Sequence, residues 1–467
     1  MPTRRTVLAG LAALAAGATA GCTGGAPGPS AGARIVLSET DVLTDERTRV
    51  LLTGLAPGTP VTLTAHRSDA SGRSWLSSAT FPVGTDGMVD VEQRAPEPGG
   101  TWTGVDGMGP FRSMRLADGE PDGAPVPVAA DPAVRIVLTA HQDGAPVGTA
   151  ELVQRTAAPG VTRRDVRENG LVGDLHLPPG PGPHPGVLLL SGSEGGIPAY
   201  GLAGLLASRG FAAFPLAYFG EPGLPQALDR IPLEYLERGM GWLRSRPAVS
   251  GSRVGVVGPS RGGELALLLG ATSPQVGAVV SYVGSGIGFP GLAAGGQPAG
   301  PAWTRDGWDV PYLAAFPGAG EAMTRYLPPL MLGSPIRDIA GTWDDIRRAD
   351  PAARERATIP VERTRGPVLL LSGRDDRLWP STGLSDVALR RLESGGHRFA
   401  HAHHAYPGAG HFFINAPFAV GLPPALASDY GRMTGGGDPD ANARASADAW
   451  PRVLETLRAG LVEGGQP

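Results

Sequence analysis

The sequence predicts two folded units in series: a β-sandwich over residues 33–165, then an open, mostly parallel α/β sheet with helices on both faces over residues 166–467. Three observations predict this. The first half carries short alternating apolar segments broken by turn residues, with no helical periodicity. The second half alternates continuous apolar runs with amphipathic stretches, as strands covered on both faces and their helices do. Within that second half a serine flanked by glycines, in GPSRGG at Gly258–Gly263, stands between a β-branched run and a helix-forming run.

The opening residues read as a targeting segment. MPTRRTVLAGLAALAAGATAGC (residues 1–22) places paired Arg4 and Arg5 before an apolar stretch from Val7 to about Ala20. That stretch is too short and too alanine-rich for a membrane span, and the twin arginines resemble an export signal for proteins that cross the membrane folded. Cys22, the single cysteine, stands at the cleavage position after Ala20 and Gly21, as in a bacterial lipoprotein, with Thr19 where leucine is usual. The expectation is an exported protein, lipidated at Cys22 and anchored to the outer face of the bacterial cytoplasmic membrane. The competing reading is a spectator thiol; no second cysteine exists to form a disulfide. Residues 23–32 are rich in Gly, Pro and Ser and read as a flexible tether. They contain a second G-x-S-x-G, GPSAG at Gly28–Gly32, but no buried strand precedes Ser30 and no helix follows it.

The sandwich strands are read in ARIVLSE, TRVLLTGL, PVTLTAHR, SSATFPV, GMVDVEQ, VRIVLTAH and TAELVQR. From about Arg167 the rhythm changes. HPGVLLLSGS, FAAFPLAYF, RVGVVG, VGAVVSYVG, GPVLLLSG and FAHAHHAY read as sheet strands, with helices between them and a final helix near Ala441 to Leu461. An insert at about 289–364 interrupts the alternation and holds Trp303, Trp308, Tyr312, Phe316, Met323 and Tyr326. It is either a cap over the site or an insert with its own apolar core.

Composition excludes some chemistry. The formal net charge of the 467 residues is -4, which points to neither nucleic acid nor an anionic surface. There is no lysine, so none can act as a base, form a Schiff base or clamp a phosphate. No cofactor and no metal are expected; HAHH lies within a strand, where successive side chains alternate faces and do not converge as ligands. Oligomeric state is not encoded legibly.

Ser260 is the expected nucleophile. A sharp strand-to-helix turn demands small neighbours, supplied by Gly258, Gly262 and Gly263, and it lifts the hydroxyl above the carboxyl edge of the sheet. The helix N-terminus then offers amides to a developing oxyanion. The Arg261 amide is the first expected donor, and the amides near Ser193 and Glu194 in the SGSEGG loop are the second. Serine needs a base to take its proton. Among the late histidines, His411 in YPGAGHFF occupies a small-residue loop after the last strand, where the order Ser, Asp, His puts the base. Its orienting carboxylate comes from SGRDDRLWP, where Asp375 and Asp376 are both available but point differently.

These residues resemble a known family. PPGPGPHPGVLLL, FAAFPLAYF, LEYLERGMGWLRSRP, GPSRGGELAL, IPVERTRGPVLLLSGRDDRLW and YPGAGHFF, with TRVLLTGLAPGTPVTLTA and TWTGVDGMGPF in the first half, are similar to the acyl-CoA thioesterases and bile acid-CoA:amino acid N-acyltransferases. The resemblance covers nearly everything after the tether. It implies an immunoglobulin-like domain packed on an α/β-hydrolase domain, and the triad Ser260, Asp376 and His411, with Asp376 matching the second aspartate of the family's pair. The N-acyltransferase branch resembles this pattern with cysteine as nucleophile, so Ser260 implies water as acceptor. The implied activity is hydrolysis of a small-molecule acyl thioester through an acyl-serine. The alternatives are an exported carboxylesterase, an amino acid N-acyltransferase and a catalytically vestigial binding lipoprotein. Export is a departure from the family, whose members with known roles act on CoA thioesters inside cells.

Overall fold

The computed structural model describes residues 32–69, 72–117, 133–293, 298–314, 342–419, 425–428 and 431–462. Cys22, the export segment and most of the tether lie outside the described residues, as do Phe316, Met323 and Tyr326 of the insert.

The first unit is a two-layer β-sandwich. One sheet joins Arg34–Leu37, Val50–Thr53 and Val89–Asp90. The other runs Asp41–Leu43, Ala145–Arg155, Ala133–Gln142, Val61–Ser68, Ser74–Phe81, Arg115–Leu116. In VTLTAHRS the apolar residues fall at every second position, so Val61, Leu63 and Ala65 are buried while Thr62, Thr64 and His66 are only part-buried. Leu52 of one sheet and Leu63, Phe81 and Leu138 of the other meet in the core with Trp102 and Phe111.

The second unit is built on eight strands: β1 (Thr162–Val166), β2 (Val172–Leu177), β3 (His184–Leu189), β4 (Ala212–Ala217), β5 (Val249–Pro259), β6 (Val276–Tyr282), β7 (Val368–Gly373) and β8 (His401–Tyr406). Their spatial order is β1-β2-β4-β3-β5-β6-β7-β8. β1 pairs with β2, and β2 with β4, antiparallel; the remaining pairs are parallel. β4, β6 and β7 are buried along their whole lengths, which is why they read as continuous apolar runs.

Helices α2 (Leu233–Arg244), α3 (Ser260–Thr272) and α4 (Ser381–Ser394) contribute to one core cluster, through Leu236, Met240, Leu265, Leu268, Ala388 and Leu392. Helices α1 (Leu202–Ser208) and α5 (Pro439–Leu461) contribute to a second, through Leu202, Leu205, Trp450, Val453 and Leu457. α1 and α3 are buried nearly all round and α2, α4 and α5 along one side, and together they cover the sheet on both faces. The chain winds outward in both directions from β3, to β4 on one side and β5 on the other, and such a switch point leaves a crevice at the carboxyl ends of the strands.

One detail differs from the sequence reading. A boundary at 165/166 falls inside β1, which pairs with β2 in the eight-stranded sheet, so the change of unit precedes Thr162. The exposed Arg and Thr side chains of TRRDV disguise β1 as loop because it is an edge strand. In the insert, Trp303 is buried in the main core, and its strand, Trp303–Arg305, pairs with Ile231–Pro232, whereas Trp308 is 79% exposed. Among the described residues no helix is long and apolar enough to cross a membrane.

β7, β8 and α4 are joined by a polar network centred on the largely buried His403 side chain. His403 places Nε2 2.7 Å from Ser372 Oγ and Nδ1 2.9 Å from Asp386 Oδ1. Burial lowers the His403 pKa below the ordinary histidine value, against the pull of Asp386. Burial likewise lowers those of His176, His397 and His404. A histidine whose folded pKa is depressed contributes stability above its unfolded value of about 6.5, and that stability is lost as pH falls. The melting temperature is therefore expected to drop as pH is lowered through this window, and His403→Gln should flatten the dependence. A scan of Tm against pH for both proteins checks it; parallel curves would exclude His403 as a contributor.

Candidate active site

Ser260 begins α3 directly after β5 and has φ 53°. A left-handed conformation is costly for a residue with a Cβ, on the order of 1–3 kcal/mol, and such strain persists only where its surroundings hold it. The surroundings here are backbone. A Cβ on Gly258 would lie 2.4 Å from the Gly262 carbonyl oxygen, and one on Gly262 would lie 2.2 Å from that of Ser191. One on Gly263 would lie 2.8 Å from Ser281 Oγ. Gly258 is required by contact within the turn itself, Gly262 by the chain just after β3 and Gly263 by β6. Ser260→Gly should relieve the strain and raise the melting temperature by a few degrees, about 1 kcal/mol, while removing the hydroxyl. An unchanged or lowered Tm would show that the turn is not strained.

The strand registers put the other groups on the same edge. Pro259 at the end of β5 pairs with Tyr282 of β6, Tyr282 pairs with Leu371 of β7, and Gly373 pairs with Tyr406 of β8. Ser260, the loop after β7 and the loop after β8 all leave the sheet at its carboxyl edge. There the His411 Nδ1 is 2.8 Å from Asp376 Oδ2, and both residues are buried. The other carboxylate oxygen, Asp376 Oδ1, accepts from the amides of Leu378 at 2.9 Å and Trp379 at 3.2 Å. Three donors thus orient one carboxylate. Asp375 turns away: its Oδ1 accepts from Arg377, and its Oδ2 from the Gly437 amide at 3.2 Å.

Aromatic contacts connect the pair to the serine. The Trp379 ring meets the His411 ring edge-on at 6.3 Å, and its Nε1 donates to the Val283 carbonyl at 2.7 Å, just past β6. Phe289 stacks against Trp379 at 5.9 Å, and its carbonyl accepts from Arg261 at 3.0 Å. Among the described residues the Ser260 hydroxyl forms no hydrogen bond.

The loop after β3 lies against the serine: a Cβ at Gly192 would be 3.4 Å from Ser260 Cβ. The Ser193 and Glu194 amides belong to this loop and donate to no described residue. The Glu194 side chain folds back so that Oε1 accepts from the Gly192 amide at 2.9 Å and from the Tyr200 hydroxyl. Burial and this carboxylate both raise the Tyr200 pKa, which keeps the phenol a donor.

The residue after Ser260 carries a buried ion pair that sequence reasoning missed. Arg261 Nη1 is 3.1 Å from Glu264 Oε2, whose side chain is 0% exposed. Glu264 Oε1 accepts from Trp303 Nε1 at 2.8 Å. Burial raises the Glu264 pKa, and Arg261 opposes the shift. The spacing Arg261, Glu264 is an i, i+3 helix pair, a signal present in the sequence but common on solvated faces. Only the depth of α3 makes it a strut between the serine turn and the insert. Among the described residues no group of three or more His, Cys, Asp or Glu could hold a metal ion.

The chain matches two family models. Residues 45–168 match the acyl-CoA thioester hydrolase/BAAT N-terminal region. Residues 231–295 and 335–463 match the BAAT/acyl-CoA thioester hydrolase C terminal. It is 31% identical over 446 residues to acyl-coenzyme A amino acid N-acyltransferase 2 of Rattus norvegicus, covering 92% of this chain and 99% of that protein. It is 32% identical over 424 residues to the mitochondrial acyl-coenzyme A thioesterase 2 of Homo sapiens, covering 88% of this chain and 80% of that protein. Among solved structures, the Pyrococcus horikoshii acylaminoacyl peptidase is 12% identical with a TM-score of 0.41, covering 91% of this chain and 60% of that one.

Proposed function

Because this chain belongs to the acyl-CoA thioester hydrolase/BAAT family, we propose that it is a serine hydrolase that cleaves acyl thioesters through an acyl-Ser260 intermediate. The observation that carries the reading is the buried Asp376–His411 pair at 2.8 Å, on the same sheet edge as a serine held at φ 53°. His411 takes the Ser260 proton through Nε2 as the hydroxyl attacks the acyl carbonyl. The proton then passes to the leaving thiol. Water, deprotonated by His411, attacks the acyl-enzyme; the bond from the acyl carbon to Ser260 Oγ breaks, His411 returns the proton to Oγ, and the acid leaves. Asp376 holds the ring with its proton on Nδ1 and stabilises the imidazolium. The Arg261 amide and the Ser193–Glu194 loop amides receive the oxyanion. Nucleophile–base hydrogen bonds are often long before substrate closes the site, which is compatible with an unbonded Ser260 hydroxyl.

Serine favours water over an amine acceptor, because the acyl-oxygen ester it forms is less reactive toward amines than the thioester a cysteine would form. Matched acyl thioesters and oxoesters of graded chain length, assayed with and without glycine or taurine, test the reading. Faster release of free acid from the thioester is the expected result. A preference for oxoesters would favour an exported carboxylesterase, and an amide product would favour acyl transfer. No turnover of any of them, with no fluorophosphonate labelling of Ser260, would sink all three.

Two finer readings accompany this one. The N-terminal two-sheet sandwich supports an immunoglobulin-like assignment in its layer architecture. Residues 1–22 support export and lipidation at Cys22, and loss of fatty-acid incorporation in Cys22→Ser would test that.

A further inference from the structure

Arg112 belongs to the sandwich, on the short helix Gly109–Arg112, and its side chain is only 4% exposed. A guanidinium so buried is tolerated only when paired. Its partners lie in both units. Nε donates to Asp106 Oδ2 at 2.5 Å within the sandwich, and Nη1 donates to Asp440 Oδ1 at 2.9 Å in the first turn of α5.

Asp440 ends a segment that closes over the Asp376–His411 pair. The Gly435 carbonyl accepts from the His411 amide at 2.8 Å and from the Arg377 amide at 3.0 Å. Gly436 bridges to Asp376, and the Gly437 amide donates to Asp375. Asp438 caps α5 and donates its own amide to the Gly408 carbonyl at 2.9 Å. Asn442, one turn into α5, accepts from the Gly410 amide at 2.7 Å. The glycines are interlocked: a Cβ on Gly410 would lie 2.1 Å from the Gly436 carbonyl oxygen, and one on Gly437 would lie 2.3 Å from the Gly410 nitrogen. The segment therefore cannot shift without moving the loops that carry both catalytic side chains. A second contact from the sandwich reaches the far end of the His411 loop, where Gln154 Nε2 donates to the Phe418 carbonyl at 3.2 Å.

We propose that Arg112 is a positioning residue: through Asp440 it fixes, from the neighbouring unit, the Gly435–Asp440 segment that sets Asp376 and His411. The sandwich thereby acts as part of the catalytic framework. This rests on the assignment of Asp376 and His411 given above. The guanidinium supplies what a neutral side chain there would not, a two-sided charged hydrogen bond that holds one helix N-terminus against another domain.

The test uses the whole protein with Arg112→Met, Arg112→Lys and Asp440→Asn. A misplacement of about 1 Å in a catalytic group can cost on the order of 100-fold. Arg112→Met and Asp440→Asn are expected to lower kcat for a p-nitrophenyl ester at least tenfold, on the order of the lower end of that effect, with KM nearly unchanged. The acid limb of the kcat/KM pH profile should move, and the low-field proton resonance of His411 Nδ1 should broaden or vanish. Arg112→Lys should restore part of the rate. Wild-type kcat in both variants, or a loss that follows only the folded fraction with the pH limb unmoved, would overturn the proposal. Should Arg112→Met not fold, Asp440→Asn decides alone. If the wild type hydrolyses nothing, the reading of the reaction fails separately, and an unaltered His411 resonance in Asp440→Asn would still overturn the positioning role.

Discussion

Ser260→Ala is expected to lower kcat on an acyl thioester by roughly 10⁴- to 10⁶-fold, the scale on which serine hydrolases lose rate when the nucleophile is removed. Without the hydroxyl there is no covalent intermediate, and what remains is water attacking a carbonyl polarised by the amides of the turn. The fold should be untouched. Alanine keeps the Cβ, so it inherits the same left-handed strain at φ 53° rather than adding to it. Ser260 Oγ makes no hydrogen bond among the described residues, so none is forfeited. Steady-state kinetics with a melting curve on the same sample checks both halves. A variant within tenfold of wild type, properly folded, would remove Ser260 from the reaction.

The second large effect separates two adjacent carboxylates. Asp376→Asn should lower kcat by about 10⁴-fold, because an amide presented to His411 Nδ1 can favour the tautomer with its proton on the wrong nitrogen. Asp375→Asn should cost no more than about 1 kcal/mol, about fivefold, since an exposed ion pair such as Asp375–Arg377 is worth little. Both substitutions are isosteric, so packing is preserved and the contrast reports charge and tautomer alone. Equal losses in the two variants would mean that the loop is simply fragile. A larger loss at Asp375 would reverse the assignment.

Much of the sheet was legible because its cause is local. The runs that became β4, β6 and β7, and the second half of β3, are nearly all apolar since helices cover both faces, and that pattern survives in one dimension. β1 was not legible as part of that sheet. Its side chains are mostly exposed, and its place is decided by pairing with β2 rather than by its own composition. The aromatic residues of the insert had two readings, a cap or a core of its own, and the described tryptophans follow neither: Trp303 joins the main core, and Trp308 is exposed.

The serine turn is the part of the site that the sequence determined by itself. A strand, a residue forced to positive φ and a helix need small residues at fixed offsets, and every one of those residues lies within six positions of the next. Tertiary structure alone decided where the Arg261–Glu264 pair is buried and that a sandwich arginine reaches Asp440 across 328 positions; the choice of Asp376 over Asp375 came from the family resemblance, not from local pattern. The physical reason is the range of the interactions. Backbone sterics act between near neighbours and leave a spacing rule, whereas burial and ion pairing depend on which distant segments meet, and no local pattern records that.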